Sequence, residues 1–128
     1  MKTKFSRSWK SSKQPRKQRK YIANAPLHIK QKFVSSHLSK DLRTRYKTRS
    51  IVLKKGDKVK VFRGQFKGKV GEVNRVDLKK TLAYVDGIEI TKRDGTKVFK
   101  PIHPSNLMIQ ELNLGDRKRQ KIFDRVKK

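Results

Sequence analysis

Between Ile51 and Gln110 the apolar pattern shifts toward a period of two, and glycine-bearing turns cut it into short runs. Val59 and Val61 alternate with Lys58 and Lys60. Val70, Val73 and Val76 are spaced around Gly71. Leu82, Tyr84 and Val85 follow, then Ile88 and Ile90, Val98 and Phe99, and finally Leu107, Met108 and Ile109. Successive side chains of a strand point to opposite faces, so this spacing describes strands with one face buried. Lys55-Gly56-Asp57, the stretch Gly64 to Gly68, Asp86-Gly87 and Asp94-Gly95 separate the runs. Asp-Gly between apolar alternations is a hairpin signal, because the tightest hairpin turns need positive φ. Five or so short strands at this spacing predict a mainly-β chain built on a small antiparallel barrel over residues 51–110. About 60 residues is near the lower limit for independent stability, so the flanks are expected to contribute.

The second constraint is charge. The 128 residues include 37 Lys or Arg and 10 Asp or Glu, a net charge of +27. Residues 1–50 hold 16 of the cations and a single acid, Asp41, for +15; residues 51–110 hold 14 and 6; residues 111–128 hold 7 and 3. Such a chain repels itself unless a polyanion neutralises it, and nucleic acid is the usual polyanion. There is no cysteine, so disulfide frameworks, thiolate nucleophiles and Cys-based zinc sites are excluded. No run of about 20 apolar residues exists to span a membrane. The basic start lacks the apolar core of a secretory signal, and a cytoplasmic location is expected.

Residues 1–20 read as a basic extended arm that is disordered alone and ordered on a polyanion, since their Lys, Arg, Ser and Gln bury too little apolar surface to offset ordering entropy. Trp9 stands alone among these cations and is a candidate for stacking on a base. Residues 21–50 predict two short helices packing on the barrel and on the polyanion partner. One starts at Pro26 and places Ile29, Phe33, Val34 and Leu38 on one face; the other is capped by Ser39 and spaces Leu42 and Tyr46 by four. Residues 111–128 predict a C-terminal helix or tail, with Ile122 and Val126 four apart.

The block GDKVKVFRGQFKGKVGEVNRVD, residues 56–77, carries the most specific information. A strand ending near Phe62, a tight connection from Arg63 to Gly68 and a second strand from about Lys69 put cations around a turn. Gly64 and Gly68 permit positive φ, and Gly71 suggests a bulge or sharp bend. Phe66 at the loop tip stacks on a base or caps the core. Candidate nucleic-acid-binding residues are Arg16, Lys17, Arg19, Lys20, Lys30, Arg43, Arg45 and Arg49 in the N-terminal part. In the barrel they are Lys58, Lys60, Arg63, Gly64, Lys67 and Lys69. His103, between Pro101 and Pro104, is expected to satisfy a backbone group in a rigid turn. Catalytic readings fail on spacing. Gly64 to Gly68 has three residues between the glycines, and Val70 follows Lys69, whereas a phosphate-binding loop needs four and a Ser or Thr. His28, His37 and His103 have no metal-ligand spacing, and the acids of 51–110 suit turns and ion pairs. Neither a cofactor nor a small-molecule substrate is expected.

The 56–77 block resembles the KOW motif, a strand–loop–strand unit with a central glycine, here Gly64 or Gly68, with Gly64 preferred. QPRKQRK (14–20), NAPLHIKQKF (24–33), LSKDLRTRY (38–46), KGDKVKVFRGQFKGKVGEV (55–73), DGTKVF (94–99) and IHPSNLMI (102–109) stand in the order of one family. That family is the KOW-domain protein of the large ribosomal subunit, universal ribosomal protein twenty-four, in its archaeal and eukaryotic form. The QPRKQRK stretch and the short C-terminal segment resemble the archaeal members. The first dozen residues and Leu114-Gly115-Asp116 depart from the family pattern. The resemblance implies an SH3-like barrel and direct binding to large-subunit ribosomal RNA near its 5′ end. It also implies a place near the polypeptide exit tunnel, an early role in subunit assembly, and neighbouring ribosomal proteins as partners rather than a second copy of the chain. Two other readings compete. A KOW-type transcription factor needs an α/β domain that residues 1–50 are too short and too basic to supply. A chromatin or peptide reader needs an aromatic cage, for which Phe62, Phe66, Tyr84 and Phe99 are the nearby rings, most of them expected in the core.

Overall fold

The alternating segment forms a sheet, and the sheet recruits more chain than its sequence pattern marks. The computed structural model describes residues 5–127. After a 3-10 helix at Arg7–Ser11 come α1 (Pro15–Asn24), α2 (Leu27–Phe33), β1 (Ser35–Leu38), α3 (Lys40–Tyr46) and β2 (Ser50–Val52). Then follow β3 (Lys58–Val61), β4 (Val70–Asp77), β5 (Leu82–Val85), β6 (Glu89–Thr91), β7 (Lys97–Phe99), β8 (Leu107–Glu111) and α4 (Arg117–Lys127). Six strands make one sheet in the order β2-β1-β8-β3-β4-β5, and β6 with β7 forms a separate hairpin. The chain is mainly β, with the small SH3-like KOW arrangement expected of it.

Three expectations need correcting. The sheet is mixed and is not closed into a barrel: β1 runs parallel to β8, and β2 and β5 are its edges. The β5 edge is partly covered by an isolated bridge, Ala83 to Ile102, with both N–H···O bonds at 2.9 Å. The helix from Pro26 does not carry Leu38; α2 stops at Phe33, and Val34 leaves the helical region at φ −88°, ψ 59°. Beyond it Ser35, Ser36, His37 and Leu38 alternate between half-buried and buried, a period of two that the run Phe33-Val34 disguises. The expected division at residue 50 is therefore crossed, because β1 and β2 belong to the sheet.

The third correction concerns residues 15–20, expected in an extended arm. They are helical, because Pro15 opens α1 at its first turn and Arg, Lys, Gln and Ala are good helix formers. No residue of α1 is buried. Ten residues are marginal for an isolated helix. Arg16/Arg19, Lys17/Lys20 and Arg16/Lys20 also set like charges three or four apart, which is unfavourable. What holds α1 is Tyr21, whose ring lies 5.0 Å from that of Phe5 and 6.0 Å from that of Phe33 on α2.

The core gathers Val34, Leu38, Ile51, Leu53, Val59, Val61, Val73, Ala83, Val85, Ile88, Ile102, Leu107, Ile109 and Phe123. Gly71 sits where β4 passes close to the chain after β5. A Cβ there would meet the Asp86 carbonyl oxygen well inside contact distance, and Val85 as well. Gly71 thus marks a close backbone approach, and the β4–β5 register shifts further on, between Val73 and Arg75. The Asp94-Gly95 turn joins β6 to β7 as expected, with the Asp94 carboxylate accepting from Thr96 N–H at 2.9 Å. The Ser39 hydroxyl accepts from Leu42 N–H and caps α3.

α4 docks by a face other than the one its aliphatic residues suggest. Ile122 and Val126 are exposed, while Arg119 and Phe123 are buried. The Phe123 ring stacks on Tyr46 of α3 at 4.2 Å. Arg119 reaches under the sheet to Asp57, with guanidinium nitrogens 2.6 Å from each carboxylate oxygen. Arg119 also donates to the carbonyls of Asn113 and Val52. Asp57 in turn accepts from the backbone N–H of Lys54 at 3.0 Å and of Asn113 at 2.9 Å. Both side chains are fully buried, at 1% and 0% exposure. This four-donor carboxylate ties the β3 entry, the end of β8 and α4 together.

Candidate nucleic-acid interface

The cations are arranged by three local devices. The first is the loop between β3 and β4. Gly64 and Gly68 take φ of +99° and +89° with open space around each. Lys67 N–H donates to Gly64 O, and Lys69 N–H donates to Phe66 O, so two linked turns fold the loop. Gly68 N–H closes it on Val61 O at 2.9 Å. Arg63, Lys67 and Lys69 are all exposed on the outside. Phe66 is half-buried and packs against the core cluster, with the Lys69 ammonium 5.0 Å over its ring. The ring therefore anchors the loop from below.

The second device is the outer face of the sheet. Strand register sets Ser50, His37, Met108, Lys60 and Val70 in one row. Lys58 stands one row along, opposite Glu72 on β4 and Glu111 on β8. Its ammonium is 3.0 Å from Glu111. Lys58, counted from the sequence among the free cations, is thus already opposed by protein carboxylates, whereas Lys60 meets none among the described residues. Phe62 leans toward His37 at 6.5 Å between ring centroids and is exposed, as is Phe99 on β7. Neither of these two rings is in the core, contrary to expectation, and Tyr84 lies beneath the Arg75 guanidinium at 4.3 Å. Among the described residues none of the four rings stacks on another.

The third device is helical. Arg16, Lys17, Arg19 and Lys20 are exposed on α1. Lys17 lies 4.8 Å over the ring of Trp9, which is itself 57% exposed. Lys30 is half-buried and reaches the Lys79 carbonyl at 3.4 Å. On α3, Arg45 lies over the Tyr46 ring and is exposed, while Arg43 is half-buried with its Nε unpartnered. Arg49 is exposed beside β1, and its carbonyl accepts from Leu38 N–H. His103 is satisfied locally: its Nδ1 accepts from Ser105 N–H at 3.2 Å, the turn role expected of it.

Against these cations the acids do little. Among the described residues three ion pairs form: Arg119–Asp57, Lys58–Glu111 and Lys54–Asp116. Asp77 and Asp94 cap turns, accepting from Lys80 and Thr96 N–H. Asp116 opens α4. Its pKa is lowered from the ordinary 3.8, first by the hydrogen bond from Lys54 and then by the Lys118 N–H. A depressed folded pKa means the contact is present at neutral pH and is lost as pH falls through that folded value. Lys54→Met should return the Asp116 pKa toward 3.8, as read by a carboxyl NMR titration. Leu114-Gly115-Asp116, the stretch that departs from the family pattern, thus supplies a working helix start.

A small mainly-β domain with a KOW loop and a surface of nearly unopposed cations defines a polyanion-binding protein of the KOW class. Residues 12–126 match the family that joins eukaryotic ribosomal protein L26 with its archaeal counterpart L24. The chain is 55% identical over 114 residues to large ribosomal subunit protein uL24 of Methanothrix thermoacetophila, covering 89% of this chain and 98% of that one. It is 47% identical over 114 residues to the protein of the same name from Methanosphaera stadtmanae, covering 89% and 97%. The chain belongs to this family of large-subunit ribosomal proteins, in its archaeal form. It is a structural protein and not an enzyme, and the transcription-factor and reader alternatives fall away.

Proposed function

We propose that the chain binds large-subunit ribosomal RNA directly, near the 5′ end of that RNA, early in assembly of the cytoplasmic large subunit and close to the polypeptide exit. The observation that supports this is the imbalance between 37 Lys and Arg and the three ion pairs found among the described residues. Cations left unpaired on a fold this small need an external polyanion. RNA is recognised through shape, backbone and splayed bases, which suits an ordered cationic loop together with a cationic helix. α1 deepens the argument: its like charges oppose its own folding, so phosphates that neutralise them stabilise it. Neighbouring ribosomal proteins are the remaining partners in this reading, and the chain acts as a single copy. The test is direct binding of the purified chain to a fragment from the 5′ region of large-subunit RNA, beside equal-length fragments from elsewhere in that RNA. Tighter binding to the 5′ fragment is expected, with co-sedimentation on large subunits. Equal binding to all fragments, or absence from the subunit peak, would overturn the reading.

A further inference from the structure

The 3-10 helix Arg7–Ser11 and α1 enclose a cleft of about 550 Å³ lined by Phe5, Ser6, Trp9, Lys17, Lys20, Tyr21 and Asn24. We propose that this cleft holds one unstacked nucleobase of an RNA strand against Trp9, with the flanking phosphates on Lys17 and Lys20. The inference rests on the RNA-binding reading and adds a specific subsite to it.

Four observations carry it. Three aromatic side chains converge here, yet Phe5 and Tyr21 are half-buried while Trp9 leaves 57% of its surface in solvent. Among the described residues Trp9 pairs with no other ring, and its close partner is the Lys17 ammonium. The charged residues of the rim are cations, and no acid occurs between Phe5 and Lys40. An apolar protein side chain would satisfy the rings and leave the lysines unopposed; a base with its phosphates satisfies both. Lys17 already lies 4.8 Å over one face of the indole, so a base stacks on the other face with this cation near its phosphate. Finally, the Asn24 amide makes no side-chain hydrogen bond among the described residues. It offers both a donor and an acceptor to a base edge. Phe5, Ser6 and Trp9 precede residue 12, where the family match begins, so the cleft joins residues outside that match to a helix inside it.

Trp9 is the sole tryptophan of the chain, so its emission reports on the cleft alone. The test titrates the full chain with a single-stranded adenine decamer and with a ribose-phosphate strand of equal length lacking bases. The decamer is expected to quench Trp9, and the abasic strand, at equal saturation, is not. Trp9→Ala should weaken decamer binding about 5- to 100-fold while leaving abasic binding within twofold. Trp9→Phe, which keeps a stacking ring, should recover most of the loss, and this separates stacking from damage to the local fold. Equal quenching by both strands, or decamer binding by Trp9→Ala within twofold of the parent, overturns the proposal. A chain that binds the 5′ RNA fragment but whose Trp9 ignores the decamer has a cleft that serves another ligand, such as a protein side chain; that sinks the subsite and leaves RNA binding standing. Failure to bind the fragment at all sinks the broader reading instead.

Discussion

Asp57→Ala is expected to lower the unfolding free energy by about 3–5 kcal/mol, measured by urea denaturation of the free chain. The reason is what the substitution leaves behind. The Arg119 guanidinium stays buried at 1% exposure without its counter-charge, and the N–H groups of Lys54 and Asn113 lose their acceptor. Small domains have about 5–15 kcal/mol in total, so this single change approaches unfolding. Arg119→Met should cost somewhat less, because the two backbone donors still hold the carboxylate. The double variant Asp57→Leu with Arg119→Met should recover the part of the loss due to the unpaired charge, since a buried ion pair replaced by apolar groups of similar size is often near neutral, while the Lys54 and Asn113 N–H groups stay without their acceptor. A double variant as unstable as the sum of the singles would show that the pair is not the unit that matters.

The second large effect is on RNA affinity as a function of salt. With about ten phosphates engaged, log K should fall with log salt at a slope of about −7 to −9, which is roughly a 10⁴- to 10⁵-fold loss between 50 and 200 mM. Replacing Arg16, Lys17, Arg19 and Lys20 together by glutamine should make that slope shallower by about 3. The sheet face offers a finer contrast. Lys60→Gln should weaken binding more than Lys58→Gln, because Lys58 is held 3.0 Å from Glu111 and opposite Glu72, so neutralising it removes a cation the protein already opposes. Equal effects at the two positions would mean that the cross-strand carboxylates turn away when RNA binds. A slope near zero would exclude phosphate contacts as the main source of affinity.

The two results have different origins in the chain. Salt dependence follows from composition, which is visible without any coordinates. The Asp57 effect does not, because Asp57 reads as an ordinary turn residue in Lys55-Gly56-Asp57 and Arg119 as one of several cations in a basic helix. Its partner lies 62 residues away, and no local spacing marks the pair. The aliphatic residues of α4 even point the wrong way: Ile122 and Val126 suggest a docking face, but the face that docks carries Arg119 and Phe123.

Whatever depends on near neighbours and on sums is legible in the order of the residues. The strand–loop–strand at Gly64, the Asp94-Gly95 hairpin, the Ser39 cap, the His103 turn and the polyanion partner all follow from local backbone geometry or total charge. Which residues join the sheet, and which cations remain free, emerges only in the folded chain. Ser35–Leu38 becomes a strand because β2 and β8 flank it, the sheet stays open because its edges β2 and β5 do not pair with each other, and register alone sets Lys58 between two glutamates. Those outcomes depend on contacts between residues far apart in sequence, and pairing energy of that kind has no signature in the spacing of either partner.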